Sequence, residues 1–101
     1  MPVYLIAQIN IHDRVRYSEY SDGFMEVFNQ YTGKVLAVDE NVETMEGNWD
    51  FSRTVLVEFP SQAEAKSWYN GDEYKKLVEH RFAASEANIV LIQGMEAETT
   101  S

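Results

Sequence analysis

The sequence predicts an α+β fold: a four-stranded antiparallel sheet with two helices on one face. Three observations carry that expectation. Strand-like and helix-like segments follow in the order strand, helix, strand, strand, helix, strand, a βαββαβ arrangement that two crossovers and one hairpin close into a single antiparallel layer. The 101 residues suit one domain with one core. Apolar residues make up 45% of the chain, which excludes a disordered polymer.

Residues 3–11, VYLIAQINI, alternate like a strand, with Val3, Leu5, Ala7 and Ile9 on one face and Tyr4, Ile6, Gln8 and Asn10 on the other. Asp13 offers a side-chain oxygen to cap the next segment. There Tyr17, Tyr20, Phe24, Val27, Phe28 and Tyr31 recur at helical spacing. Gly23 inside that helix costs about 1 kcal/mol relative to Ala, so packing has to compensate. Gly33 is read as a left-handed helix stop. Residues 34–40, KVLAVDE, form the second strand, with 42–45 as its continuation or an edge, and EGNWDFS is a turn-rich connection. In the third strand, RTVLVEF, Val55, Val57 and Phe59 share one face and Leu56 and Glu58 the other, until Pro60 ends the ladder. Ser61 and Glu64 make a capping box, with Ala65, Trp68 and Tyr69 as inward candidates. Asn70-Gly71 halts this helix, and Asp72 can cap a second piece carrying Tyr74, Leu77, Val78, Arg81 and Phe82, set at a distinct bend to the first. Residues 88–94, NIVLIQG, are the last strand. The domain is thus expected over 1–95, with 96–101 as a flexible polar tail.

Seventeen acidic against eight basic residues give a formal net charge of −9. Such a surface repels phosphate backbones and anionic membranes, so neither nucleic acid nor a membrane is an expected partner. With no cysteine there is no disulfide and no thiolate chemistry. The start, MPVYLIAQINI, carries no basic leader, and its apolar run is too short to span a bilayer. A cytoplasmic location is the expectation.

The strands are apolar on both faces. Helices cover one face only, yet Ile6, Leu56, Val90 and Ile92 point the other way. A bare apolar sheet face exceeds what monomers tolerate. At roughly 25 cal/mol per Å² of apolar area, covering it outweighs a marginal monomer's stability. A homodimer packed sheet on sheet is expected.

The run EFPSQAEAKSWYNGDEY, followed by Arg81 and the closing LIQG, resembles the family known as domain of unknown function 1330. YLIAQINIHD, Tyr20, GKVL, EGNW and Arg53 match it as well, so the likeness spans nearly the whole chain. The resemblance implies a ferredoxin-like fold within the dimeric α/β-barrel superfamily. Tyr31-Thr32-Gly33 departs from the paired glycines usual in the family, which implies a local change at that helix exit. The family has no established reaction. The wider superfamily includes cofactor-free oxygenases, isomerases and haem-handling proteins, an analogy at the level of fold.

Chemistry is sought in the aromatic and arginine residues. Tyr17 and Tyr20 lie in the first turns of the first helix, near the strand ends where such a sheet opens into a pocket. Trp68 and Tyr69 are either core packing or pocket wall. Arg53 and Arg81 either form structural ion pairs or present a planar fork to a carboxylate or enolate. Arg53 follows a loop that could bring Glu46 and Trp49 to the cavity mouth, where Glu46 is either a solvated loop charge, the plainer role, or, if buried, a general base. Candidate ligand-binding residues are therefore Tyr17, Tyr20, Glu46, Trp49, Arg53, Trp68, Tyr69 and Arg81. No catalytic residue, metal site or cofactor is assigned. His12 and His80 form no metal-binding pair, and Asp39, Glu40 and Glu43 read as a solvated strand edge. Two functions follow: a small-molecule pocket in each protomer, with enzymatic action on a small organic acid or aromatic compound, or a non-enzymatic interaction dimer with a filled core and Arg53 paired to Glu58 or a neighbour.

Overall fold

The computed structural model describes residues 1–95, so the tail expected from residue 96 lies outside the described residues. The elements are β1 (Val3–Ile11), α1 (Arg14–Phe28), β2 (Lys34–Asp39), β3 (Arg53–Phe59), α2 (Gln62–Tyr69), α3 (Asp72–Ala84) and β4 (Ser85–Gln93). This is the expected βαββαβ order with the second helix in two pieces. The strands form one antiparallel sheet in the order β2-β3-β1-β4. β1 lies inside, paired to β3 from Val3↔Phe59 to Ile9↔Arg53 and to β4 from Val3↔Gln93 to Ile11↔Ser85.

That register sets Val3, Leu5, Ala7 and Ile9 beside Phe59, Val57, Val55 and Arg53 on the face the helices cover. Val3, Leu5, Ala7, Ile9, Val57 and Phe59 are buried there with Phe28, Trp68, Tyr74 and Val78. The opposite face carries a row across all four strands, Ala37–Leu56–Ile6–Val90. No element among the described residues covers it, and Val90 and Ile92 are 56% and 45% exposed. β2 is bulged between Val35 and Ala37, so that Val35 and Val38 both pair with helix-side partners, Val57 and Val55. A bulge restores side-chain phase after one extra residue, and here it turns Val38 toward the helices.

α1 begins as expected, with Asp13 Oδ1 accepting the Arg16 N–H at 3.0 Å. It ends at Phe28 rather than carrying through Tyr31. The Gln30 and Tyr31 N–H groups bond the carbonyls of Val27 and Phe28, three residues back, and this tightened turn takes the chain out of the helix. Gly33 is not left-handed; among the described residues only Gly47 has a positive φ, 78°. Gly33 is needed for space, because a Cβ there would lie 2.5 Å from the ring atoms of both Phe28 and Phe59.

Ser61 Oγ accepts the Glu64 N–H at 3.3 Å, the N-cap half of the expected capping box, while Glu64 Oε1 accepts the Thr32 hydroxyl at 2.8 Å. The helix breaks after Tyr69. Gly71 is extended (φ −66°, ψ 146°) between the two helical segments, which forces the change of direction expected there. Gly71 itself occupies the cap position, so Asp72 is not a cap; it and Glu73 instead place negative charge on the first turn of α3. Residues 42–45 form no strand, because Asp39 already pairs with Thr54 near the start of β3 and nothing is left to pair beyond it. β4 starts at Ser85, three residues before the apolar run. The Ala84 carbonyl receives the His12 and Asp13 N–H groups, and Ser85 pairs with Ile11. No helix among the described residues is long and apolar enough to cross a membrane.

Gly33→Ala should lower stability by about 1–3 kcal/mol, the usual range for overpacking. Urea unfolding reads this as a lower midpoint at unchanged slope. A midpoint equal to that of the parent protein would mean that the two phenylalanine rings give way freely.

Candidate functional site

Between the sheet and the helices lies a cavity of about 260 Å³. Its floor is the helix side of the sheet, where Leu5, Ala7, Ile9, Val55 and Val57 alternate inward. Its roof is α1, through Tyr17, Tyr20 and Phe24, and α3, through Tyr74 and Arg81. α1 packs mainly on α3. The helix side of β2 is left uncovered, and Val38, which lines the cavity, is 47% exposed. The opening therefore lies toward β2.

The two ends of the cavity differ. Trp68 closes the end near Val3 and Phe59, 5.6 Å from the Phe59 ring and 5.5 Å from the Phe28 ring. Arg53, opposite Ile9 in the register, stands at the other end. Its guanidinium lies 5.7 Å from the centre of the Tyr17 ring, and that of Arg81 lies 5.7 Å from the centre of the Tyr20 ring. Those rings are 5.5 Å apart on successive turns of α1, so two cations flank one tyrosine pair. The Tyr20 and Tyr74 hydroxyls are 2.7 Å apart. One donates to the other, which leaves one proton of the pair for a further acceptor.

Every ionised group in this lining is cationic; no Asp, Glu or His takes part. Arg53 Nη1 meets Glu40 Oε2 at 3.3 Å, and that oxygen also meets Arg14 Nη1 at 3.1 Å. Arg81 is 3% exposed and has no carboxylate within ion-pair distance among the described residues. Arg53 Nε, Arg81 Nε and Trp68 Nε1 are buried donors with no protein partner. Buried polar groups are nearly always paired, so unpaired nitrogens on three residues that line the cavity stand out, two of them on the arginines. Burial pushes the Tyr17, Tyr20 and Tyr74 hydroxyls above the ordinary tyrosine range, Tyr20 farthest, and all three are neutral at neutral pH. The hydrogen bond from Arg14, helped by Arg53, holds Glu40 below the usual carboxylate range.

Five of the eight candidate residues meet here: Tyr17, Tyr20, Arg53, Trp68 and Arg81. Tyr69 does not line the cavity. It is 38% exposed on the outer side of α2, where it borders a surface groove with Ala65 and Leu91. Glu46 and Trp49 do not reach the cavity mouth. They line a separate hollow in the loop after β2, and the Trp49 Nε1–H donates at 2.9 Å to Thr54 Oγ1, on the opposite face of the sheet from Arg53. Arg53 pairs with Glu40, not with Glu58. His80 lies outside the cavity, its Nδ1 3.0 Å from Glu19 Oε2. Among the described residues no group of three or more His, Asp or Glu is placed to hold a metal. Tyr74 and Glu40 were absent from the candidate list. Tyr74 had a signal, since it stands seven residues before Arg81 and therefore on the same helix face. Glu40 had none, because its partners are 13 and 26 residues away.

A family model described as "Domain of unknown function (DUF1330)" matches residues 2–95. Among solved structures, a protein of unknown function from Rhodopseudomonas palustris superposes with a TM-score of 0.79 at 18% identity, over 94% of this chain and 83% of that one. A dimeric protein of unknown function and ferredoxin-like fold from Bacteroides fragilis gives 0.68 at 14% identity, over 92% and 96%. SnoaB, a cofactor-independent oxygenase from Streptomyces nogalater, gives 0.69 at 10% identity, over 98% of both chains. At these identities the likeness shows the ferredoxin-like fold. No curated protein matches the chain.

The buried tyrosines set an alkaline limit on stability. An unfolded tyrosine loses its proton near the ordinary value of 10.0, whereas Tyr17, Tyr20 and Tyr74 hold theirs to higher pH in the folded state. Above that value the native state binds more protons than the unfolded one, so the tyrosines' contribution to stability should be level below about pH 10 and fall as the pH rises beyond it. Denaturation midpoints across this range should show the fall, and Tyr20→Phe should reduce it. Tyrosinate absorbance in which all six tyrosines titrate together at the ordinary value, with the fold intact, would contradict the burial.

Proposed function

We propose a function for this chain, which belongs to the domain of unknown function 1330 (DUF1330) family: each protomer of a homodimer holds a small organic acid with an apolar or aromatic body in the cavity between sheet and helices. The observation that carries this is Arg81, a buried guanidinium with no carboxylate partner among the described residues. A buried charge needs a counter-charge, and an anion entering from the β2 side supplies one. Its acidic group sits among Arg53, Arg81 and the tyrosine hydroxyls, and its body lies toward Trp68. The volume falls near the lower end of ligand pockets, which start at about 300 Å³, so the ligand is small.

Enzymatic turnover of that acid or aromatic compound without a cofactor is part of the proposal, supported at fold level by SnoaB. The lining offers no carboxylate or imidazole base. Its chemical contribution is to hold and stabilise negative charge on the ligand through fixed donors. A filled interaction dimer is the weaker reading, because a filled core would lack both the cavity and a buried arginine with no carboxylate partner among the described residues.

The homodimer is supported by the uncovered apolar row Ala37–Leu56–Ile6–Val90. Neighbours from Bacteroides fragilis and Thermobifida fusca are described as dimeric with the same fold. A second copy laid sheet on sheet removes this face from water on both protomers at once.

In a thermal-shift screen of small organic acids, binders should raise the melting temperature, as native-state ligands do. Arg53→Ala and Tyr20→Phe should each weaken the best binder about tenfold or more, since hydrogen bonds to a charged group contribute about 1.5–3 kcal/mol. Unchanged affinity in both variants would remove these residues from the site. Sedimentation should show a dimer that Val90→Glu dissociates; a folded monomer at high concentration would exclude the sheet-on-sheet assembly.

A further inference from the structure

We infer that Glu40 sets the charge of the ligand this pocket takes, admitting one negative charge and turning away two. The inference rests on the pocket proposed above and adds a selectivity to it. Arg53 and Arg81 are the charged residues of the lining. Glu40 stands at the rim, just past β2, with one carboxylate oxygen on Arg53 at 3.3 Å. Arg14 shares that oxygen at 3.1 Å, but its side chain is 62% exposed and outside the lining, where water and salt screen it. Two lining cations and one rim anion leave a single positive charge uncompensated, on Arg81.

A monoanion completes that balance. It reaches Arg81 and the Tyr20–Tyr74 hydroxyl pair, and shares Arg53 with Glu40, which holds Nη1 of that guanidinium. A second anionic group on the same small ligand has only Arg53 to bind, and there it meets the carboxylate of Glu40. Like charges in a partly buried site repel far more than in bulk water. Glu40 is ionised at neutral pH because its two arginines favour the charged form. It therefore acts as a built-in second anion, and removing its charge leaves Arg53 free for an incoming one. Glu40 is exposed and lies beyond the last residue of β2, so Glu40→Gln leaves the core untouched.

Benzoate and phthalate make the comparison, one ring carrying one or two carboxylates, each titrated calorimetrically into the 101-residue chain. The parent protein should prefer benzoate at least about tenfold, and Glu40→Gln should cut that preference about tenfold, chiefly by strengthening phthalate. Glu40→Asp, which retains the charge, should keep the preference, and Arg81→Met should lose both ligands. A Glu40→Gln variant that binds benzoate with its preference intact overturns the charge selectivity and leaves the pocket standing. So does a parent protein that binds phthalate as tightly as benzoate. A parent protein that binds neither overturns the selectivity together with the pocket.

Discussion

The size of one side chain, Trp68, governs the space between sheet and helices. Its ring lies 4.4 Å from Tyr74, 5.5 Å from Phe28, 5.6 Å from Phe59 and 6.1 Å from Phe24. Rings packed at these distances are close to incompressible, as protein interiors are, so they hold the helices off the sheet at that end. Farther along, the sheet offers Ala7, Ile9 and Val55, aliphatic side chains that do not fill the height that the aromatic cluster has set. The cavity is the resulting mismatch in size. It also explains the break at Asn70-Gly71, since a straight helix could not both seat Trp68 on Phe59 and lean Tyr74 and Arg81 over α1.

Within that space the arginines are held at a cost in stability. A guanidinium removed from water recovers little from two aromatic faces, Tyr20 at 5.7 Å and Phe82 at 5.1 Å. Arg53 at least shares Glu40, whereas Arg81 has no such partner among the described residues. An apolar residue of equal volume would pack there at lower cost, so the arginine is a stability sacrifice of the kind associated with sites that bind something.

The fold was largely legible because its signals are local. Alternation in residues 3–11, the caps at Asp13 and Ser61, and the Asn70-Gly71 break each concern neighbours a few residues apart, and each proved to mean what local chemistry says. Failures came where tertiary contacts overrode local preference. Gly33 looked like a left-handed stop and instead yields room to Phe28 and Phe59. Ser85, Glu86 and Ala87 have no strand character but are drawn into β4 by pairing with β1. The site follows the same division. Tyr17, Tyr20 and Arg81 could be placed from helix faces alone, whereas the path of the loop after β2 could not. Nothing local says that Trp49 bonds Thr54 while Glu40 turns to Arg53.

That loop joins the two faces of the sheet. In β3, Arg53 and Val55 point toward the cavity while Thr54 and Leu56 point to the uncovered face. The loop begins with Glu40 on Arg53 and comes back with Trp49 on Thr54, so its two anchors sit on opposite sides of the same strand. A second protomer laid over Leu56 and Val90 would lie beside Trp49 and limit the loop's freedom. The position of Glu40, and with it the hold on Arg53, then depends on the same chain segment that borders the interface. In the homodimer proposed above, the interface and the cavity rim would thus share one stretch of chain, anchored on both sides of β3.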